Sequence, residues 1–401
     1  MTSILLEQLP SLVASTDDAA MKEFFDAVDR SVQDNATNEF DRCCVDAFSH
    51  IINGVVDNED SPTKVFLNEF KQQCAYLDVC LAALNSALDI VKSGALSEDQ
   101  RKMRNYFLML QCMSPNDGPP SFLGAQSERR YKPSRLRKMF TESWLEFVRV
   151  PMEMSLRCDC LVWLSENVLR NVSSPMLFAD FVTNCFQMEH PSNALALGSV
   201  VVLMLQCNMN YPKLYDEVYN MLQPNIFTMP HRTVFLRNLD LIMRSTHLPV
   251  YLTAAFIKRL SRLLLFAPVE CCLTFLGFIR NWLIRHPSCQ FLVNRSWNEA
   301  QSLDADPYDF DATDPANSNS MTTSLWEIQT LKHHYVDKVV RTAAFIDCPL
   351  PSVEVPFRLE SNANRVFRDE VKAAPKEYVV AEGESSKLFE ISDVVGQLFA
   401  P

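Results

Sequence analysis

Between residues 175 and 287 the chain alternates apolar stripes of helical period with single prolines. The prolines fall at Pro175, Pro191, Pro212, Pro230, Pro249, Pro268 and Pro287, at intervals of 16, 21, 18, 19, 19 and 19 residues, with Pro224 standing outside the series. Proline lacks the amide hydrogen that a helix interior needs, but it is tolerated in the first turn, where that hydrogen has no intrahelical partner. Each interval therefore holds one helix of about three to four turns and a short connection. Within residues 250–266, Leu252, Phe256, Leu260, Leu263 and Leu264 recur at helical spacing, and Lys258, Arg259 and Arg262 take the other side. Residues 232–244 repeat the pattern with Phe235, Leu236, Leu239, Ile242 and Met243 inward, leaving Arg237, Asp240 and Arg244 as an exposed ladder. Residues 272–285 place Phe275, Leu276, Ile279, Trp282 and Leu283 inward, and His286-Pro287 ends that helix. Two such helices make a unit of about 38 residues, near the ~40 of HEAT and armadillo repeats. The expected fold is all-α, a HEAT/armadillo-like helical repeat superhelix.

The flanking sequence divides into further parts. Residues 1–112 read as an N-terminal helical region, with one helix over 65–91 carrying Phe66, Phe70, Leu77, Leu81 and Leu84. Residues 113–139 read as a linker with a basic cluster, six lysines and arginines between Arg129 and Lys138. The repeat domain is expected over 140–346, interrupted by a solvated acidic loop at 302–320. Ser324 and Glu327 have capping-box spacing and open a helix predicted to run to about 346. The tail, 347–401, contains Pro349, Pro351, Pro356 and Pro375 and is expected to be irregular or ordered by a partner.

Composition strengthens the helical reading. Eight glycines in 401 residues is low against the usual ~7%, and leaves few left-handed turns or glycine-rich loops. The net charge of −12 is unevenly spread: residues 121–296 carry 19 basic and 12 acidic side chains, whereas 1–120 carry 9 and 19. The middle segment either meets an acidic partner or phosphate backbone, or simply has a basic solvated face. Lys258, Arg259, Arg262, Arg280 and Arg285 are the candidate RNA-binding residues on this spacing. Thirteen cysteines without a Cys-x-x-Cys motif exclude zinc ribbons and thioredoxin-like redox sites. With no secretory leader at residues 1–12, they point to a reducing compartment and to packing roles. Two apolar stretches, 194–207 and 263–279, are the nearest approach to a membrane segment. The first is short and the second holds Pro268 and Glu270, so no span is expected. They are the sole basis for the alternative of nuclear-envelope association.

No phosphate-binding loop, dinucleotide fingerprint, His-Glu-x-x-His or nucleophile-elbow motif occurs, so no catalytic residue and no cofactor is expected. His333 and His334 are adjacent on a predicted helix, pointing about 100° apart, and so are poorly placed to chelate one ion. The series Asp304, Asp306, Asp309, Asp311 and Asp314 suggests calcium. Counting Asp304 as the first loop position, however, puts Pro315 where an EF-hand needs its bidentate glutamate. No metal site is expected.

Three stretches carry a family resemblance. They are Phe140 to Pro151 with Trp144, Leu145, Glu146 and Phe147; Ser245 to Leu260 with His247, Pro249, Tyr251 and Lys258; and Arg285 to Tyr335 with Asp306-Pro307-Tyr308-Asp309, Asp314-Pro315 and Ser324-Leu325-Trp326-Glu327. In order and spacing these resemble the nucleolar complex protein 4 family, part of the wider group named for a CCAAT-binding factor. The similar region covers about half the chain. The resemblance implies a non-enzymatic helical-repeat assembly factor of the nucleus and nucleolus, paired with a nucleolar protein 14-type protein in the small-subunit processome. It implies support for 18S ribosomal RNA maturation and for assembly and export of the 40S precursor, with pre-ribosomal RNA as a further partner. A HEAT-like nuclear transport or transcription adaptor is the alternative. Trp144 with Glu146, and Trp326, are the candidate partner-binding residues, since an aromatic beside a carboxylate suits an anchored peptide. A core position suits Trp144 as well.

Overall fold

In the computed structural model the prolines of the regular series stand where helical segments begin. The structure describes residues 9–15, 17–34, 40–96, 99–115, 133–245, 247–294, 306–359 and 363–373, and among these the regular elements are all helical. The N-terminal part is built from α1 (Asp18–Asp34), α2 (Phe40–Asp57), α3 (Lys64–Gln73), α4 (Leu77–Lys92) and α5 (Gln100–Cys112). The helix predicted over 65–91 is in fact two. The Cys74 amide folds back to donate to Phe70 and Gln72 carbonyls, and α4 restarts at an angle of 119°. The bend turns Phe66 and Phe70 of α3 toward α1 and α5, where Phe66 meets Phe25 at 5.7 Å. It also inserts α4 between α2 and α6 (Pro133–Arg149), which buries α4 on nearly every side. A straight helix would serve only one of these two packing demands. Because α6 starts at Pro133, Arg135, Arg137 and Lys138 of the basic cluster belong to its first turns; residues 116–132 lie outside the described part.

The following layer contains α7 (Met154–Trp163), α8 (Ala179–Phe186), α9 (Ser192–Cys207), α10 (Leu214–Met221), α11 (Arg232–Ile242), α12 (Val250–Leu264) and α13 (Val269–Arg285). Pro191, Pro249 and Pro268 directly precede α9, α12 and α13; Pro212 and Pro230 lie two residues before α10 and α11. Pro175, Pro224 and Pro287 each open a short 3₁₀ turn. Helix α9 packs on α7, α8 and α11, which accounts for its apolar character all round. The second apolar stretch, 263–279, is broken at Pro268 between the paired helices α12 and α13. Among the described residues no single helix is long and apolar enough to cross a membrane; only the bent α3–α4 pair passes by length and composition together.

Three expectations are corrected beyond residue 300. The predicted helix from Ser324 to about 346 is divided into α14 (Trp326–Leu331), α15 (Asp337–Ala343) and a 3₁₀ turn, Ala344–Asp347. Ser324 does not cap it: Leu325 holds that position, and Glu327 turns into the core toward Lys258. His333 and His334 therefore lie in the intervening turn, where the His334 ring accepts the Val336 amide at 3.0 Å. The described part of the acidic loop, 306–320, is laid against α12 with Tyr308 and Pro315 buried, and Asp314 caps the short turn Pro315–Asn317. Residues 349–359 form an extended strap along α13, whose side chains satisfy its backbone. Asn281 donates to the Val355 carbonyl at 2.9 Å and accepts its amide at 3.0 Å, and Thr274 donates to the Arg358 carbonyl at 3.3 Å. The Phe357 ring packs on Phe278 at 4.8 Å and lies so close over Gly277 that a Cβ there would fall 2.5 Å from it. Helix α16 (Ala363–Ala373) then packs back onto α13.

Candidate interaction site

Helix α12 carries three cations, Lys258, Arg259 and Arg262, on the side that local periodicity reads as solvent-facing. The chain between residues 306 and 327 covers that side and turns it into an interior. Lys258 has no exposed side-chain surface. Its ammonium donates to the Ser324 carbonyl at 2.7 Å and lies 2.8 Å from Asp306 Oδ2 and 2.7 Å from Glu327 Oε1. Glu327, also fully buried, accepts the Ser261 hydroxyl at 2.9 Å on its other oxygen. Arg262 reaches Asp306 at 2.7 Å and stands 4.9 Å from the centre of the Trp326 ring. A buried charge is tolerated only when paired and hydrogen-bonded in this way. Burial raises the Asp306 carboxyl, but hydrogen bonds from Lys258, Thr323 and Trp326 and the Lys258 charge outweigh it, holding the group at about 2.

Arg259 is buried beside this cluster. Its guanidinium donates to the Leu222 carbonyl at 2.8 Å and the Phe310 carbonyl at 2.9 Å, between the rings of Tyr219 and Phe310. Tyr219 and Tyr308 share a hydroxyl hydrogen bond of 2.9 Å. Burial, with Tyr219 alongside, pushes the Tyr308 phenol well above its usual range. The cations thus bind the segment 306–327 to α10 and α12 through carboxylates, carbonyls and aromatic faces.

Trp326 is the part of this cluster that reaches the surface. Its indole N–H donates to Asp306 at 2.7 Å, fixing the ring, which is 37% exposed. The ring lines a cavity of about 830 Å³ with Leu292, Val293, Leu325, Cys348 and Leu350. Gln290, Asn294, Gln329 and Asp347 line the same cavity, and an oriented aromatic at the wall of a cleft of mixed polarity is suited to anchor a peptide side chain.

The other candidate residues are dispersed. Trp144 is fully buried, set edge-on against Phe107, Phe140 and Phe147 at 6.0–6.2 Å, so it is a core residue and not a groove anchor. Glu146 pairs with Arg149 one turn on, at 2.6 Å. The RNA-facing stripe is likewise corrected: Lys258 and Arg259 are interior and Arg262 is committed to Asp306. Arg285 holds Glu354 of the strap at 2.7 Å and Asp240 at 3.2 Å. Asp240 also accepts the Trp282 indole N–H at 3.0 Å, so it is not part of an exposed ladder. Of the five, Arg259 and Arg280 make no ion pair among the described residues; Arg259 is held by two carbonyls instead, and the Arg280 Nε is buried without an acceptor. Sequence reasoning missed Asp306, Tyr308, Arg259 and Glu327 as one network. The available signal was charge balance between segments 258–262 and 306–327, which is too unspecific to pair residues.

Comparison with known proteins places these elements in a common context. The CBF/Mak21 family profile matches residues 193–343, which include α9 to α15 and the whole Lys258 cluster. The nucleolar complex protein 4 homolog of Rattus norvegicus is 32% identical over 354 residues, covering 84% of this chain and 68% of that protein. The Homo sapiens homolog is 33% identical over 354 residues, with the same coverage of 84% and 68%. The homolog of Danio rerio is 35% identical over 291 residues, 69% of this chain and 55% of that protein. The similarity therefore extends well beyond the half of the chain that carries the three quoted stretches.

Proposed function

The chain belongs to the CBF/Mak21 family, alongside proteins named nucleolar complex protein 4 homolog, and we propose that it is a non-enzymatic nucleolar scaffold in small ribosomal subunit biogenesis. The observation that carries this reading is the 33% identity to the human homolog across 84% of the chain. The all-helical architecture is compatible with it, since stacked helix pairs of HEAT or armadillo type offer long surfaces to partners. In this proposal the protein acts within the small-subunit processome and supports 18S maturation and 40S export. It holds a nucleolar protein 14-type partner through the Trp326 cleft. Protein contact takes precedence over direct contact with pre-ribosomal RNA, because four of the five basic residues suggested for RNA are engaged inside the fold.

The test is depletion of the protein in its own cells, with a fluorescently tagged copy for rescue. Nucleolar signal with accumulation of unprocessed 18S precursors, reversed by the wild-type copy, supports the proposal. A signal confined to the nuclear rim, or diffuse signal with normal 18S processing, overturns it in favour of an envelope or adaptor role.

A further inference from the structure

A second cavity, of about 520 Å³, lies between α13, α15, α16 and the strap, and shares no lining residue with the Trp326 cleft. We propose that it is a docking pocket for an acidic peptide segment, with arginines receiving a carboxylate and the apolar wall receiving a neighbouring side chain. The inference goes beyond the family reading and stands whether or not the chain acts in the nucleolus.

Arg280, Lys338, Arg358 and Arg365 all line this cavity, and among the described residues no aspartate or glutamate does. Arg280 comes from α13, Lys338 from α15, Arg358 from the strap and Arg365 from α16, so the fold gathers cations from four separate segments. The Arg280 Nε is buried without a hydrogen-bond acceptor. Arg285, just over one turn along α13, makes the contrast. Burial disfavours the charged form at both positions, but Glu354 and Asp240 outweigh it at Arg285, whereas no carboxylate does so at Arg280, whose pKa is lowered. Arg358 and Arg365 are exposed and make no ion pair among the described residues. A guanidinium left partly dehydrated and unpaired gains most from an anion supplied from outside.

The walls identify the class of anion. Leu273, Val355, Phe357 and Val366 form an apolar side to the same cavity. A polynucleotide needs a track of cations along its backbone. Here Lys258 and Arg262 of α12 and Arg285 of α13 are already paired with carboxylates, and residues 297–401 carry 18 acidic against 9 basic side chains. One concave basic spot with an apolar wall suits a glutamate or aspartate beside an apolar residue better than a continuous polyanion.

The experiment uses the full chain and a short fluorescein-labelled peptide of alternating leucine and glutamate, followed by fluorescence anisotropy. The comparison probes are the same peptide with glutamine for glutamate and a short oligouridylate. Saturable, salt-sensitive binding of the acidic peptide is expected. It should weaken at least about tenfold in the Arg358→Glu, Arg365→Glu double variant, whose sites are exposed and leave the core intact, and in Arg280→Met. Lys213→Glu, at an exposed position outside the cavity lining, should leave binding unchanged. Absence of binding, equal binding of the glutamine peptide, or preferential capture of the oligouridylate with the same arginine dependence overturns the proposal.

Discussion

Replacing Lys258 with methionine removes one charge from the centre of the α12 cluster while keeping most of the aliphatic stem. In the wild type the ammonium is 2.7 Å from Glu327 and 2.8 Å from Asp306, with no exposure to solvent. Without it, Glu327 keeps the Ser261 hydroxyl at 2.9 Å and a more distant Arg262 contact at 3.4 Å. Asp306 keeps Arg262 and the Trp326 indole at 2.7 Å each, so the uncompensated charge falls mainly on Glu327. Breaking a buried ion pair from one side costs roughly 3–5 kcal/mol, a large share of the ~5–15 kcal/mol by which domains are stable. Adding Glu327→Gln removes the stranded charge and retains an acceptor for Ser261, so the double variant should recover at least about 1.5 kcal/mol. Urea unfolding followed by tryptophan fluorescence and far-ultraviolet circular dichroism measures both. A Lys258→Met cost below about 1 kcal/mol, or single costs that simply add in the double variant, would refute the reasoning.

The same cluster predicts an acid limb. The Asp306 carboxyl is held at about 2 against its ordinary 3.8, so its contribution is complete above the ordinary value and is lost as pH falls toward 2. It amounts to roughly 2 kcal/mol, and the corresponding slope between about pH 4 and pH 2 should be absent from urea titrations of Asp306→Asn. Trp144→Ala should cost about 3–5 kcal/mol, whereas Trp144→Phe should cost less than about 1.5 kcal/mol, because the indole N–H has no acceptor to lose. A large loss in the phenylalanine variant would reveal a polar role for that nitrogen. Gly277→Ala should force Phe357 away from α13 and raise hydrogen exchange in residues 349–359, at a cost of about 1–3 kcal/mol. Unchanged exchange in the strap would show that the close approach is not what holds it.

Most helices were legible from local signals, although the capping-box spacing of Ser324 and Glu327 misled. Prolines mark helix starts by chemistry that acts within one turn, and Phe235, Leu239, Phe256 and Leu260 sit on buried faces as their spacing requires. What could not be read was how distant segments cover a face. Lys258, Arg259 and Arg262 have the sequence pattern of an exposed stripe, and only the arrival of Asp306, 44 residues beyond Arg262, makes that stripe an interior. The helix break at Cys74 and the strap at 349–359 were hidden for the same reason: packing partners outside the segment set both. Of the candidate residues, Trp326 stands partly exposed at a cavity wall, and Trp144 takes the core position that its sequence allowed as well as a groove, because an aromatic followed by a carboxylate looks alike in both.

Affinity purification of the tagged full chain from its own cells, with identification of the co-purifying proteins, tests the central claim most directly. The account predicts small-subunit processome proteins, including a nucleolar protein 14-type partner that is lost on Trp326→Ala while the fold is kept. Recovery of nuclear transport receptors or transcription factors, with no precursor-ribosome proteins, would contradict it.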